Sequence, residues 1–314
     1  MRYQIFLGDC LESLKEIPPC DLIYMDPPFG PVGEDVYYGV GETFEDYLEY
    51  MLDRIKHVCS GQKDFNFILH VDPKASHYLK VEVDKVLGRK NFQNEIVWAW
   101  SAPSNTKRHL PRKHGVLLWW GVGEYPFNQE RVPHKAGLSV GGKSSWAGGE
   151  VDVQEYLSRG KPLEDWWVDI PPLIRGGSEK RGWETQKPQK LLERVVKMFS
   201  REGSLVLDPF MGSGTTGLAA LSMGRRFLGS DKSEAALKIA GDALSPYLGE
   251  LSILRPVSCS EGNVGTCFLK SSLDIRLFWV KVEKAQNLLD DLVVLENPSI
   301  PCSSFTPSSY DFLL

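Results

Sequence analysis

The sequence predicts an α/β fold: a mostly parallel sheet with helices on both faces, broken by one irregular insert. Three observations carry that expectation. Short apolar runs stop abruptly in Asp-Pro loops at Asp26-Pro27 and again at Asp208-Pro209. Segments with apolar residues at three- and four-residue steps alternate with those runs. Between the two regions, over residues 129–180, periodicity gives out while glycines cluster at 141–142, 148–149 and 176–177 beside Trp146, Trp166 and Trp167.

The elements follow in order. Asp21-Leu22-Ile23-Tyr24-Met25 reads as a buried strand ending at the Asp26-Pro27-Pro28-Phe29 loop. Thr43 opens a helix whose Phe44, Tyr47, Leu48, Met51, Leu52 and Ile55 share one face. Phe65 to Val71, Ile96 to Trp100 and Val116 to Trp120 read as strands. In the second region a helix carries Leu191, Val195, Val196 and Phe199, and Ser204 to Leu207 forms a strand. After the turn at 208–214 come a helix from Thr215 to Met223, a strand from Arg226 to Ser230 and a helix from Glu234 to Leu244. An amphipathic helix is expected over about Asp274 to Val294, with a loosely ordered end.

Composition excludes several classes. With 314 residues, 42% hydrophobic and 25% charged, the chain is long and apolar enough to bury a sizeable core, which excludes a disordered, collagen-like or coiled-coil protein. No run reaches about 18 uncharged apolar residues, and MRYQIFLGDC has no basic region followed by an apolar one, so neither a membrane span nor a secretory signal is expected. A net charge of −5 argues against nonspecific coating of nucleic acid but leaves room for a local basic groove. Cys10, Cys20, Cys59, Cys259, Cys267 and Cys302 form no CxxC pair, so no metal site is expected; free, mostly buried thiols in a cytoplasmic protein are.

Two loops carry chemistry. The turn Asp208-Pro-Phe-Met-Gly-Ser-Gly-Thr215 sits between strand and helix, where small residues let a ligand approach the backbone next to a helix N-terminus. It lacks the lysine of a phosphate-binding loop and does not match GxGxxG. Asp231 ends the next strand, 19 residues after Gly212, the spacing at which a carboxylate accepts hydrogen bonds from ribose hydroxyls. In Asp26-Pro27-Pro28-Phe29, two prolines fix an extended bend and expose carbonyls, Asp26 is acceptor-only when ionised, and Phe29 offers a flat face for a base. A carboxylate and a carbonyl placed so can grip both hydrogens of an exocyclic amine.

The ordered set of motifs over residues 5–245 resembles the S-adenosylmethionine-dependent DNA amino-methyltransferases of the β arrangement, in which the catalytic half precedes the cofactor half. Asp26-Pro-Pro-Phe29 matches the DPPY motif, with Phe for the commoner Tyr, and Phe210-Met-Gly212-Ser-Gly214 matches FxGxG. Thr185-Gln186-Lys187-Pro188 resembles the TQKP segment lying against the cofactor's methionine part, Gly224 to Asp231 the strand ending in the ribose-binding acid, and Gly8-Asp9-Cys10 a stretch near its adenine. Asn94 to Trp98, Lys113 to Leu117 and Trp167 to Pro171 fit further blocks.

The resemblance implies a Rossmann-like methyltransferase sheet with a catalytic half at 1–128, a target-recognition insert at 129–180, a cofactor half at 181–250 and an extension of unknown role at 251–314. It implies S-adenosylmethionine as cofactor and no metal. The cofactor would be held by Asp9, Cys10, Asp26, Thr185, Lys187, Pro188, Asp208, Phe210, Gly212, Ser213, Gly214, Thr215 and Asp231. Catalysis would rest on Asp26, Pro27, Pro28 and Phe29, with the methyl passing directly to N6 of an adenine flipped out of duplex DNA. Phosphate contacts are expected from Lys107, Arg108, Arg112, Lys113, Arg175, Lys180 and Arg181, whereas His109 and His114 have no identifiable acidic partner and receive no catalytic role. Alternatives are cytosine-N4 transfer, an RNA or protein-amide methyltransferase, and a degenerate protein that only binds DNA. A homodimer and a cognate restriction endonuclease are the further partners the resemblance suggests.

Overall fold

The computed structural model describes residues 3–28, 43–103, 106–133, 158–174 and 176–247, together with the backbone of four strands beyond residue 251. The first region holds β1 (Tyr3–Leu7), α1 (Cys10–Ser13), β2 (Leu22–Met25), α2 (Phe44–Cys59), β3 (Phe65–Val71), α3 (Pro73–Leu87), β4 (Phe92–Ala99) and β5 (His114–Val122). Short strands β6 (Arg131–Val132), β7 (Lys161–Pro162) and β8 (Trp166–Trp167) follow. The second region supplies α4 (Gln189–Phe199), β9 (Leu205–Asp208), α5 (Thr215–Ser222), β10 (Arg226–Asp231) and α6 (Glu234–Leu244), and β11 (Ser252–Arg255), β12 (Val264–Ser271), β13 (Asp274–Val282) and β14 (Leu292–Leu295) come last.

One sheet has the order β14-β13-β12-β11-β1-β10-β9-β2-β3-β5-β4-β8. Its middle, β11 to β3, is parallel throughout, and β5 runs antiparallel to both β3 and β4. The expected α/β architecture is therefore present, with an antiparallel wing on each side. Side chains alternate across it. Tyr3, Ile5, Leu22, Tyr24, Ile68 and Val206 face α4, α5 and α6, while Ile23, Met25, Phe67, Leu69 and Leu207 face α2 and α3.

Local chemistry explains the elements. Thr43 and Asp46 form a reciprocal capping box that starts α2, with Asp46 N to Thr43 Oγ1 at 3.1 Å and Thr43 N to Asp46 Oδ2 at 3.0 Å. Helix α3 went unassigned in the sequence reading, although Asp72 as cap and Pro73 at its first turn are a standard start signal. Trp166–Trp167 lies within the irregular insert yet joins the main sheet, pairing with Val97 and Trp98.

Where the expected helix over Asp274 to Val294 falls on described residues, strands stand instead: β13 occupies Asp274–Val282 and pairs antiparallel with β12, and β14 pairs with β13; residues 283–291 lie outside the described residues. The run Ile-Arg-Leu-Phe-Trp-Val-Lys-Val is rich in β-branched and aromatic residues, and cross-strand pairing outweighs the helical spacing that can also be traced through it.

Candidate active site

Four neighbouring parallel strands end in carboxylates. Asp231 and Asp208 close β10 and β9, Asp26 directly follows β2, and Asp9 follows β1 after one glycine. The four acids therefore stand in a row along the C-terminal edge of the sheet, where open α/β sheets bind ligands. A cleft of about 330 Å³, counting space open to solvent, lies at Asp26 and Asp208, its walls including Trp183, Lys187, Phe210 and Gly212.

Asp208 is buried and accepts from Thr216 Oγ1 at 2.6 Å and Phe210 N at 3.0 Å. Burial pushes its carboxyl up to about 7 despite those bonds, and Asp26 and Asp231 push the same way. Asp231 takes Gly212 N on one oxygen and Ser233 N on the other, both at 2.9 Å, and burial raises its carboxyl too. Gly212 has φ +48°, and a Cβ there would stand 2.8 Å from Trp183 Nε1. The turn is thus glycine both for its left-handed backbone and for the indole lying over it.

Asp26 is ion-paired to Lys187. Burial raises the Asp26 carboxyl, and the Lys187 ammonium works against that rise. Lys187 belongs to the 185–188 segment, whose other residues build the loop. Gln186 Oε1 accepts Arg181 N at 2.8 Å while its Nε2 donates to Glu179 O at 2.9 Å, and Glu179 Oε1 accepts Gln189 N at 2.6 Å, holding the start of α4. On the far side of Asp26, His70 Nδ1 lies 3.9 Å from Oδ1 and shares a 2.8 Å hydrogen bond with Tyr24 Oη.

At the other end of the row, Asp9 caps α1 through Leu11 N at 3.0 Å and is ion-paired to Arg54 and, at 2.8 Å, to Lys232. Burial would raise its carboxyl, but the two cations hold it below the usual range. Arg54 stacks 3.3 Å over the Tyr50 ring, which in turn sits 6.4 Å from Phe210. Cys10 is buried and its thiol is pushed up to about 12, so it is a packing group and not a nucleophile. Cys20 and Cys59 are likewise free and buried.

Of the residues expected at the site, Asp26, Thr185, Lys187, Asp208, Phe210, Gly212, Ser213 and Thr215 line the cleft. Asp231 adjoins it through Gly212, Gly214 caps α5 at φ +73°, Pro188 precedes α4, and Asp9 and Cys10 sit beyond Phe210 and Tyr50. Pro27 is buried behind Asp26 and Pro28 is half-buried. Phe29 and Arg175 lie outside the described residues.

The expected DNA contacts share this edge. Val71 pairs with Val116 and Ala99 with His114, so the loop joining β4 to β5 leaves the sheet on the side of Asp26. It carries Lys107, Arg108 and Arg112, all exposed, with Leu110 88% exposed among them, and Lys113 reaches back to Pro103 O at 3.4 Å. Lys180 and Arg181 are half-buried.

Sequence reasoning missed Tyr24, His70, Trp183 and Arg54. Tyr24 shares Asp26's face because it stands two residues before it in extended chain, and His70 is one of two polar interruptions, with Asn66, in the apolar run Phe-Asn-Phe-Ile-Leu-His-Val. Among the described residues there is no group of three metal-ligating side chains, and no helix is long and apolar enough to cross a membrane.

Comparison with known proteins agrees with this geometry. The Type II methyltransferase M.BamHI of Bacillus amyloliquefaciens is 31% identical over 72% of the chain, and that match spans 53% of M.BamHI. The chain thus covers about half the length of that relative. M2.DpnII of Streptococcus pneumoniae is 42% identical over 74% of the chain and 86% of its own length. The Escherichia coli DNA adenine methyltransferase YhdJ is 26% identical over 75% of the chain and 80% of its own length. The crystal structure of the M1.HpyAVI–SAM complex shares the fold, with a TM-score of 0.55 and 20% identity over 77% of this chain and 98% of that one. The model of the DNA methylase family N6_N4_Mtase matches residues 20–242, and the chain belongs to that family.

Proposed function

We propose that the protein transfers a methyl group from S-adenosylmethionine to the N6 amine of an adenine flipped out of duplex DNA. The observation that carries this reading is the placement of Asp26, ahead of two prolines, in the same cleft as the Gly212 turn and held by Lys187. The choice of adenine is supported by Asp, rather than Ser, at the head of the motif and by the name of YhdJ. The Type II designations of M.BamHI and M2.DpnII support a modification role beside a restriction endonuclease, and a homodimer is the assembly the resemblance suggests.

The residues present suit the cofactor. A sulfonium cation is matched by a cleft whose wall carries the Asp26 and Asp208 carboxyls and the Trp183 indole, and Asp231 keeps lone pairs for ribose hydroxyls beside a turn open only to glycine. Thr185, Lys187, Phe210, Ser213 and Thr215 complete the wall, and Asp9 and Cys10 would hold the adenine part, as the resemblance implies. When bound, S-adenosylmethionine supplies an electrophilic methyl on sulfur.

The chain's own residues prepare the nucleophile. An amine lone pair delocalised into the base ring is weakly nucleophilic. Asp26 and the carbonyl of Pro27 accept the two N–H bonds, which draws the nitrogen toward tetrahedral geometry and returns the pair to it. Lys187 favours the ionised form of Asp26, the stronger acceptor, against the burial that raises its carboxyl. Positioning and fixed charge supply the rate. Phe29 is proposed as the stacking face, and Lys107, Arg108, Arg112, Lys113, Arg175, Lys180 and Arg181 as phosphate contacts.

Incubation with labelled S-adenosylmethionine and unmethylated genomic DNA, followed by digestion and mass spectrometry of nucleosides, tests the proposal. N6-methyladenine is expected. N4-methylcytosine would overturn the choice of base, and an absence of both would overturn the activity.

A further inference from the structure

Beneath Asp26 lies a polar pair that the proposed chemistry does not use. Met25 of β2 pairs with Leu69 of β3 in parallel register, so one step further along places Asp26 beside His70, on the face that Tyr24 also shares. Tyr24 and His70 are each 1% exposed and joined by their 2.8 Å hydrogen bond. The imidazole is closely packed on two further sides. The Trp98 ring closes one side, its centroid 5.8 Å away and tilted by 76°, and Gly115 closes another, where a Cβ would stand 2.7 Å from Nε2. Burial, and next the Lys187 charge, hold His70 well below its ordinary value, so it is neutral and stores no proton.

We propose that His70, oriented by Tyr24, is a positioning residue that fixes the plane of the Asp26 carboxylate for the incoming base amine. Lys187 holds Oδ2 and the imidazole edge stands 3.9 Å from Oδ1, so the carboxylate is bracketed between a cation and a closely packed ring held by Tyr24. With that ring removed, the carboxylate is free to rotate about its contact with Lys187, carrying Oδ1 out of the plane that meets the amine. The inference rests on the methyltransferase reading above.

The test is single-turnover methyl transfer to DNA by the full chain, with S-adenosylhomocysteine affinity measured alongside. His70→Leu should lower the transfer rate about 10- to 100-fold, the scale of a small misplacement of a reacting group, with KM for DNA and S-adenosylhomocysteine affinity within about twofold of wild type. His70→Gln, which can still meet the Tyr24 hydroxyl, should recover much of that loss. Tyr24→Phe, which keeps the ring and removes one hydrogen bond, should cost about 2- to 10-fold and remains informative where His70→Leu does not fold. Combined with His70→Leu it should add nothing.

The proposal is overturned by a wild-type rate in Tyr24→Phe and the folded His70 variants, by a loss confined to KM or cofactor affinity, or by a Gln variant as slow as Leu. A wild-type protein that transfers no methyl group to DNA would instead remove the reading on which it rests.

Discussion

Lys187 and Asp26 are 161 residues apart in sequence and form an ion pair at the centre of the cleft. The contact joins the loop before α4 to the end of β2, so the motif of one half of the chain is electrically completed by the other. It also sets the charge of the group proposed to bind the amine.

Lys187→Met tests that setting. Burial already raises Asp26, and removal of the opposing ammonium should raise it further. The acid form accepts more weakly and turns an O–H donor toward the amine, so the variant should be slow at neutral pH and recover as pH rises. Initial rates from pH 6 to 9 check this; an unchanged acidic limb would remove Lys187 from that role.

Gly212→Ala should weaken cofactor binding and stability together. The substitution forces a left-handed backbone on an L-residue, at about 1–2 kcal/mol, and places a methyl group against the Trp183 indole. Calorimetric titration with S-adenosylhomocysteine and a melting curve give the two readings.

Asp208 makes stability pH-dependent. Its folded value is raised to about 7 from 3.8, so between those limits the folded state holds a proton that the unfolded state has lost. Its contribution is fully present below the unfolded value and is lost as pH rises through about 7. Asp208→Asn should therefore flatten the fall in Tm between pH 5 and pH 8, by at least a few degrees at about 2–4 °C per kcal/mol. A parallel curve in the variant would contradict the assignment.

The β4–β5 loop offers a measurement of charge. Lys107→Ala, Arg108→Ala and Arg112→Ala should each weaken DNA binding without regard to sequence and reduce the slope of log K against log salt by about 1. Fluorescence anisotropy over a salt series reads both quantities. Variants with the wild-type slope would place the phosphates elsewhere.

How much of this could be read in the sequence depends on how local the cause is. The Asp26 and Gly212 loops were legible because strand-to-loop transitions with Pro and Gly have local backbone causes, and the strands and helices over 205–244 follow from spacing alone. Tyr24 and His70 were not: their meeting depends on which strands lie side by side, and no spacing within β2 or β3 states that β3 is its neighbour. Arg54 escaped for a related reason, since a charged residue on an amphipathic helix reads as solvated until Asp9 and Tyr50 are placed against it. The segment from Asp274 failed in the opposite direction, where an apparent helical spacing lost to pairing between distant strands.

Strand order carries a consequence for synthesis. β1 and β2 are made first but are not neighbours; β10 and β9, made some two hundred residues later, fill the space between them. A nascent chain that has left the ribosome only as far as β5 therefore has a β1 with no strand beside it, an open edge on β2, and an Asp26 with neither Lys187 nor the Gly212 turn beside it. No competent half-enzyme exists on the way to the whole one. Two fragments divided within residues 134–157 should each be silent alone, and methylation should return only when both are present to interleave their strands.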